Sequence, residues 1–453
     1  MSGHVLLVAP PFAGHLHPVL GIGVELARRG VPVRVASTAA ARPRIEAAGL
    51  EAVVLGSADG SLDALVAAVG DPVERVGRDP LRLHRQFRAT LAILGTIRDE
   101  LDELVAADPP AVVVADFTLP VAGGVAVRHG ARWFTAIPSP AALGANDGPP
   151  GYCGGLLPPA STLERVRDAV ARSTVRGFKR AVFALNARPL RELGFTGAFR
   201  PDGSEQAYSP DTVLALALQE LELPRSWPAA VRFVGPVRYS PPGRPDAWGA
   251  VEGERGGADA SVHDSRPRVL VTLGTHLAAE KAELPRLLTT LAELLPEVRL
   301  ELTLGGSAPP DAMPAATAAP FAVVDYVDYD RLDRYAAVVH HGGTGIAQAT
   351  LAAARPAVVV PIDYDQPDVA ARLVHHDLAE RLDARVLHPG RTGAEALAGA
   401  VRRALDPPAA RLAALERFAE ASARELGAVG AADLIETALQ TTRPHGRARG
   451  DHR

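Results

Sequence analysis

Short, wholly apolar runs that alternate with helix-patterned stretches constrain this chain more than any other feature. Residues 5–9 (VLLVA), 31–36 (VPVRVA), 111–115 (AVVVA) and 132–137 (RWFTAI) read as strands buried on both faces, as the strands of parallel sheets are. Between them, residues 19–29, 98–106 and 121–129 carry apolar residues at helical spacing, with Gly30 as a stop signal. Strand, helix and strand of these lengths make βαβ units. Residues 161–193 are then mainly helical, and 212–217 and 232–234 are short strands. A stretch rich in Pro, Gly, Ser and charge follows, and the alternation restarts at 268–273 (RVLVTL). Strands are expected at 298–304, 321–324 and 336–339, and helices at 281–295, 346–354, 368–375, 393–404 and 409–441. The expected fold is therefore α/β, with two Rossmann-like doubly wound domains facing across a cleft. Residues 1–238 form the first, 239–267 the linker and 268–441 the second, whose last helix can pack back on the first; 442–453 form a disordered tail.

The 453 residues hold 48 Lys and Arg against 52 Asp and Glu, a balance that argues against nucleic acid or an acidic membrane surface as partner. A single Cys153 leaves no disulfide framework, so a reducing cytoplasm is the expected compartment. The amino terminus lacks the cationic region and cleavage site of a signal peptide, and no apolar run has the length of a membrane span.

Residues 340–366 hold the densest motif: His340-His341-Gly342-Gly343-Thr344-Gly345, a helical run, an apolar strand, then Asp365-Gln366. Glycines at the start of a helix let backbone N–H groups approach an anion where the helix dipole is positive. Asp365 and Gln366 follow a buried strand, the ligand edge of an open α/β sheet. The expected site is a diphosphate cradle with a sugar-hydroxyl clamp; the plain alternative is a tight turn with a solvent-facing His pair. In the first half His15 follows the first strand in a loop, and Asp116 ends another strand of the same sheet. A neutral imidazole held by a carboxylate can act as general base, with His17 the rival; loop polar residues without chemistry are the alternative. Thr275 sits where a hydroxyl and N–H would meet the same phosphates or simply cap a helix, and Tyr326 could face a nucleobase or the core. No HExxH, CxxC or P-loop pattern occurs, so no metal site is expected.

Together these segments resemble the family 1 glycosyltransferases of GT-B fold, in particular the bacterial branch acting on natural products, with the wording of residues 360–372 like the macrolide and carotenoid glucosyltransferases. The likeness rests on Gly14-His15-x-x-Pro18, Val114-Ala-Asp116, residues 216–224 (LALQELELP), Phe233-Val-Gly-Pro236, residues 271–275 (VTLGT) and the His341 to Gln366 interval. It implies inverting, metal-independent transfer of a hexose, glucose favoured, from a UDP- or TDP-sugar to a hydroxyl of a hydrophobic, ring-bearing small molecule. His15 would be the base and Asp116 its partner. Thr275, Tyr326, Val327, His341, Gly342, Gly343, Thr344, Gly345, Asp365 and Gln366 would hold the donor. Residues 83–94 and 138–157 are expected to shape the acceptor pocket, with Phe12, His84, Phe87, Pro138 and Asn146 as contacts. No cofactor beyond the nucleotide-sugar co-substrate, and a monomer or homodimer, are expected. Where many members carry a ribose-binding Glu this chain has Ala349, and Asp328 replaces a common Pro, so the base of the donor stays open. A nucleotide-sugar epimerase and a non-catalytic activator are the competing functions.

Overall fold

The structure, a computed structural model, describes residues 3–56, 62, 63, 66, 80–241, 265–274, 278–305, 320–324, 326–388 and 390–441. Two parallel sheets organise it. The first has seven strands in the order β3-β2-β1-β4-β5-β6-β7: β1 Val5–Val8, β2 Val33–Thr38, β3 Glu51–Leu55, β4 Val112–Asp116, β5 Arg132–Ile137, β6 Thr212–Ala215 and β7 Val231–Phe233. The second has six in the order β10-β9-β8-β11-β12-β13: β8 Arg268–Thr272, β9 Arg299–Thr303, β10 Ala322–Val324, β11 Ala337–His340, β12 Ala357–Val359 and β13 Ala379–Arg381. Both follow the doubly wound order, in which the chain reverses direction across the sheet after its third strand. The reversal opens a crevice at the carboxyl ends of β1 and β4 in one sheet and of β8 and β11 in the other.

The central strands carry the unbroken apolar runs because helices cover both of their faces: every residue of β1 and β4 is buried. Expectation missed the edge strands β3 and β13. They carry Glu51, Glu380 and Arg381, charges that an edge tolerates and that break the apolar pattern.

Three helical boundaries differ from expectation, and one of them is that the helix expected at 98–106 runs from Pro80 to Ala107. The first helix, α1 (Ala13–Arg28), begins well before residue 19 and contains Pro18. Gly14 and Pro18 are poor helix formers, but Leu16, Val19 and Leu20 bury against β1 and β4, and that packing overrides local preference. His15 therefore stands in a helical first turn and not in a loop. The expected helix over 409–441 is two helices. With α2 Arg42–Ala47, α3 Pro80–Ala107, α4 Val121–Arg128, α5 Thr162–Leu185, α6 Ala187–Glu192, α7 Ala278–Leu294, α8 Thr344–Ala352, α9 Gln366–His375 and α10 Arg391–Leu405 preceding them, these are α11 Ala409–Arg424 and α12 Ala428–Thr441. Gly427 between them has φ +55°, and a Cβ there would stand 2.6 Å from the Pro236 carbonyl oxygen. From that turn α12 returns to the first sheet, where Ala431, Ala432, Ile435 and Ala438 bury among Leu16, Leu20 and Val114. α11 stays with the second sheet, its Leu415 and Phe418 packed with Leu351 of α8.

Most of the expected linker (242–264) and the tail (442–453) lie outside the described residues. Tyr239 lies inside them and packs on the α1 side, its ring 5.5 Å from that of His17.

Candidate active site

At the reversal point of the first sheet, His15 and Asp116 meet. His15 Nδ1 lies 3.1 Å and 3.0 Å from the two Asp116 carboxylate oxygens. A carboxylate only accepts, so Nδ1 carries the proton and Nε2 keeps its lone pair. Asp116 is held in turn by the Thr118 backbone N–H at 3.0 Å and the Thr118 hydroxyl at 2.5 Å. The His15 ring stacks on Phe117 at 5.5 Å and meets Phe12 edge-on at 6.3 Å. Burial disfavours the imidazolium, but Asp116, by charge and hydrogen bond, and then Asp365 outweigh it, so the His15 pKa stands above its ordinary value. His17, the rival base, faces Tyr239 instead.

Asp365 belongs to the second sheet, as the residue capping α9. Its charge is felt at His15, the residue at the reversal point of the first sheet. In the second sheet, His340 ends β11 fully buried, its Nδ1 accepting the Gly342 N–H at 3.1 Å. Burial first, and His341 second, lower its pKa to about 3, so it is neutral and holds the glycine turn. The solvent-facing His pair is thereby overturned. The His341 ring sits between two glycines: a Cβ on Gly274 would lie 2.7 Å from its Cε1, and one on Gly343 would lie 2.5 Å from its Nε2. Gly342, at φ +90°, presses its α-carbon toward Gln366, where a Cβ would come 3.1 Å from the backbone oxygen. Thr344 opens α8, and no side chain caps that helix, so its first N–H groups have no intrahelical partner.

Gln366 is buried, and its amide oxygen accepts the N–H groups of Ile362 at 2.8 Å and Asp363 at 3.1 Å. Val327 packs into the apolar cluster of Leu270 and Leu332, with Tyr326 half-buried beside it. Ala349 lies in that same cluster and brings no polar group to a ribose. Thr275 and the His84 side chain lie outside the described residues.

Of the expected acceptor contacts, Phe12 borders His15 and Pro138 follows β5 directly. Phe87 packs on the core cluster that contains Leu91 and Ile97. Asn146 lines a cavity of about 330 Å³ together with Leu143, Tyr152, Arg176, Tyr208 and Trp227, and Tyr208 and Trp227 pack on the same apolar cluster as Phe117, the neighbour of Asp116. Neither His15 nor Asp116 lines it.

Sequence reasoning missed the contacts that join this loop to the second sheet. Tyr152, at φ +60°, donates its backbone N–H to Asp368 Oδ2 at 2.7 Å. Arg381 Nη2 donates to the Gly154 carbonyl at 3.1 Å, and a Cβ on Gly155 would stand 2.0 Å from the Pro367 carbonyl oxygen. Beside them Arg372 donates to Glu222 from Nε at 2.8 Å and Nη2 at 2.7 Å. Residues 151–155 (GYCGG) held the available signal, since three glycines around one aromatic mark a loop pressed against another backbone. Among the described residues no group of three His, Cys, Asp or Glu side chains is placed to hold a metal ion, and no helix is long and apolar enough to cross a membrane.

No family model matches the chain. Among curated proteins it is 28% identical over 463 residues to 4'-demethylrebeccamycin synthase of Lentzea aerocolonigenes, covering 96% of this chain and 99% of that one. It is 25% identical over 374 residues to UDP-glycosyltransferase 2 of Phaeomoniella chlamydospora, covering 78% and 79%. Among solved structures the glycotransferase of kitacinnamycin superposes with a TM-score of 0.66 at 22% identity, over 97% of this chain and 100% of that one. The two sheets and the superposition over 97% of the chain show the GT-B glycosyltransferase fold, and over most of its length the chain is similar to the curated proteins named above.

Proposed function

We propose that the protein is an inverting transferase that moves a hexose, glucose favoured, from a UDP- or TDP-sugar to a hydroxyl of a hydrophobic, ring-bearing natural product. The observation that carries this reading is the link between the two sheets. A His15–Asp116 pair from one sheet feels the charge of Asp365 from the other, and Gln366, next to Asp365, stands against the glycine turn at Gly342.

In this reading the acceptor hydroxyl gives its proton to His15 Nε2 as its oxygen attacks the anomeric carbon. Asp116 fixes the tautomer and stabilises the imidazolium that forms. The bond from the anomeric carbon to the diphosphate oxygen breaks with its electron pair going to the leaving nucleoside diphosphate. His341 and the N–H groups at Gly343 and Thr344 receive that charge, an interaction aimed at the developing anion; Thr275 is assigned the same role. Asp365 and the Gln366 NH2 bind sugar hydroxyls, and paired polar groups reject sugars lacking those hydroxyls. Val327 and Tyr326 form the floor and rim for the nucleobase. Attack in line with the breaking bond puts the acceptor oxygen on the face opposite the departing diphosphate, which inverts the anomeric configuration.

The test is His15→Ala, followed by turnover on a panel of hydroxylated aromatics and by calorimetric titration of UDP- and TDP-glucose. Loss of transfer with donor affinity kept supports the assignment, and anomeric inversion is read by NMR of the product. Near-normal turnover by the variant would overturn the base, and retention of configuration the mechanism.

A further inference from the structure

We infer that the cavity lined by Asn146, Tyr208 and Trp227, whose Tyr208 shares an apolar cluster with Phe117 beside Asp116, takes an acceptor that carries an acidic group, with guanidinium groups of α5 as its anchor. The inference rests on the acceptor role proposed above and names the class of acceptor.

The cavity, about 330 Å³, is large enough for a fused-ring system and carries the rings of Phe199, Tyr208 and Trp227 on its wall. Its charges are uneven: Arg172, Arg176, Lys179 and Arg200 line it against only Asp202 and Glu205. Lys179 is neutralised by Glu205 at 2.6 Å. Arg200 is spent on backbone, donating to the Glu205, Gln206 and Tyr208 carbonyls. Asp202 accepts from the Ser204 N–H and hydroxyl.

Arg172 and Arg176 differ. Arg172 donates to the Gly148 carbonyl at 2.5 Å. Arg176 donates to Asn146 Oδ1 at 2.8 Å and the Gly203 carbonyl at 2.9 Å. All these acceptors are neutral, and among the described residues no carboxylate stands within ion-pair distance of either. The nearest acid, Asp147, is held by the Ser226 N–H and hydroxyl and feels Arg172 only through space. Arg176 lies 4.9 Å over the Phe199 ring and Arg180 lies 5.4 Å over the same ring. Three guanidiniums thus repeat every four residues along α5, where like charges repel. Two of them face a half-enclosed, ring-lined space and keep free N–H donors. A planar fork over an aromatic ring suits a carboxylate on a planar molecule. Tyr152 places the cavity next to the donor side, since it lines the wall and bonds Asp368 through its backbone.

The probes are 6-hydroxy-2-naphthoic acid, its methyl ester and 2-naphthol, titrated calorimetrically and offered as acceptors with UDP- and TDP-glucose. The acid is expected to bind about ten-fold tighter than the ester, a difference of one charge-assisted contact. Arg176→Gln should erase that preference while donor affinity stays, and Arg176→Lys, which keeps the charge, should retain part of it. Equal or tighter binding of the ester overturns the inference, as does a preference that survives Arg172→Gln combined with Arg176→Gln, or failure of all three probes to bind. Transfer to naphthol with no preference for the acid sinks the anionic pocket and leaves the glycosyl transfer standing. Tight binding of the acid without transfer to any hydroxyl does the reverse.

Discussion

The backbone N–H of Tyr152 donates to Asp368 Oδ2 at 2.7 Å, so a loop of the first sheet rests on the first turn of the helix that carries Asp365 and Gln366. Asp368 is buried, and burial above all pushes its pKa up to about 6, against the pull of the Tyr152 N–H and Arg372. A folded-state pKa above the unfolded one means that the protonated group favours the fold. Its contribution is full below about pH 4 and is lost as pH rises through about 6. Asp368→Asn should therefore become more stable relative to the parent between pH 4.5 and 7, by about 2 kcal/mol. Urea unfolding at the two pH values measures it, and a pH-independent difference would contradict the shift.

His15 has a raised pKa, and a base must be neutral to work. Turnover should fall as pH drops through that raised value. Asp116→Asn removes the carboxylate that favours the imidazolium, so the acid limb should move to lower pH while the plateau drops about 100-fold or more. An acid limb that does not move would detach the limb from this pair.

Gly274 leaves room for the His341 ring, and its φ is +72°. Gly274→Ala puts a methyl 2.7 Å from His341 Cε1, which must push the ring out of the glycine turn. Nucleotide-sugar affinity should weaken by about ten-fold or more, roughly 1.4 kcal/mol, with acceptor affinity little changed. Calorimetric titration of each substrate separates the two.

The Arg372–Glu222 pair has both side chains only 6% exposed, and Arg225 stands 3.8 Å from the same carboxylate. Arg372→Ala leaves the buried Glu222 carboxylate with Arg225 alone at 3.8 Å and should cost about 3 kcal/mol, whereas Arg372→Met combined with Glu222→Leu should recover only part of it, because Arg225 then loses its carboxylate. Urea denaturation of the single and double variants decides. A double variant as unstable as the single would place the cost in lost packing instead.

How much of this could be read from the chain depends on where each residue lies. Strands β1, β4, β5, β8 and β11 were legible because burial on both faces leaves an uninterrupted apolar run. The edges β3 and β13 were not, since exposure admits Glu51 and Glu380. His15 was legible as a partner of Asp116 but not as part of a helix, because Gly14 and Pro18 hide the period until Leu16 finds its place on the sheet. The glycine turn at His341 announced itself through composition, while the reason for its glycines, a ring lodged between Gly274 and Gly343, needs two segments far apart in sequence. Tyr152, Asp368 and the Glu222–Arg372 pair left the least trace. They touch only after both sheets exist, and no local period records a contact across 216 residues, the separation of Tyr152 and Asp368.

The chain leaves the first sheet at Gly235-Pro236 and comes back to it at Glu425–Gly427, and these two passages lie against each other. Gly427 N–H donates to the Val234 carbonyl at 2.6 Å, and a Cβ on Gly235 would stand 2.3 Å from that of Glu425. Outgoing and returning covalent strands therefore share one seam, with the Tyr152–Asp368 and Arg381–Gly154 clasp elsewhere on the boundary and entirely non-covalent. Parting the halves at the clasp would also break the buried Arg372–Glu222 pair and the packing of Leu218 and Leu221 on Phe418, so the donor side is latched by charge and apolar contact as well as by hydrogen bonds.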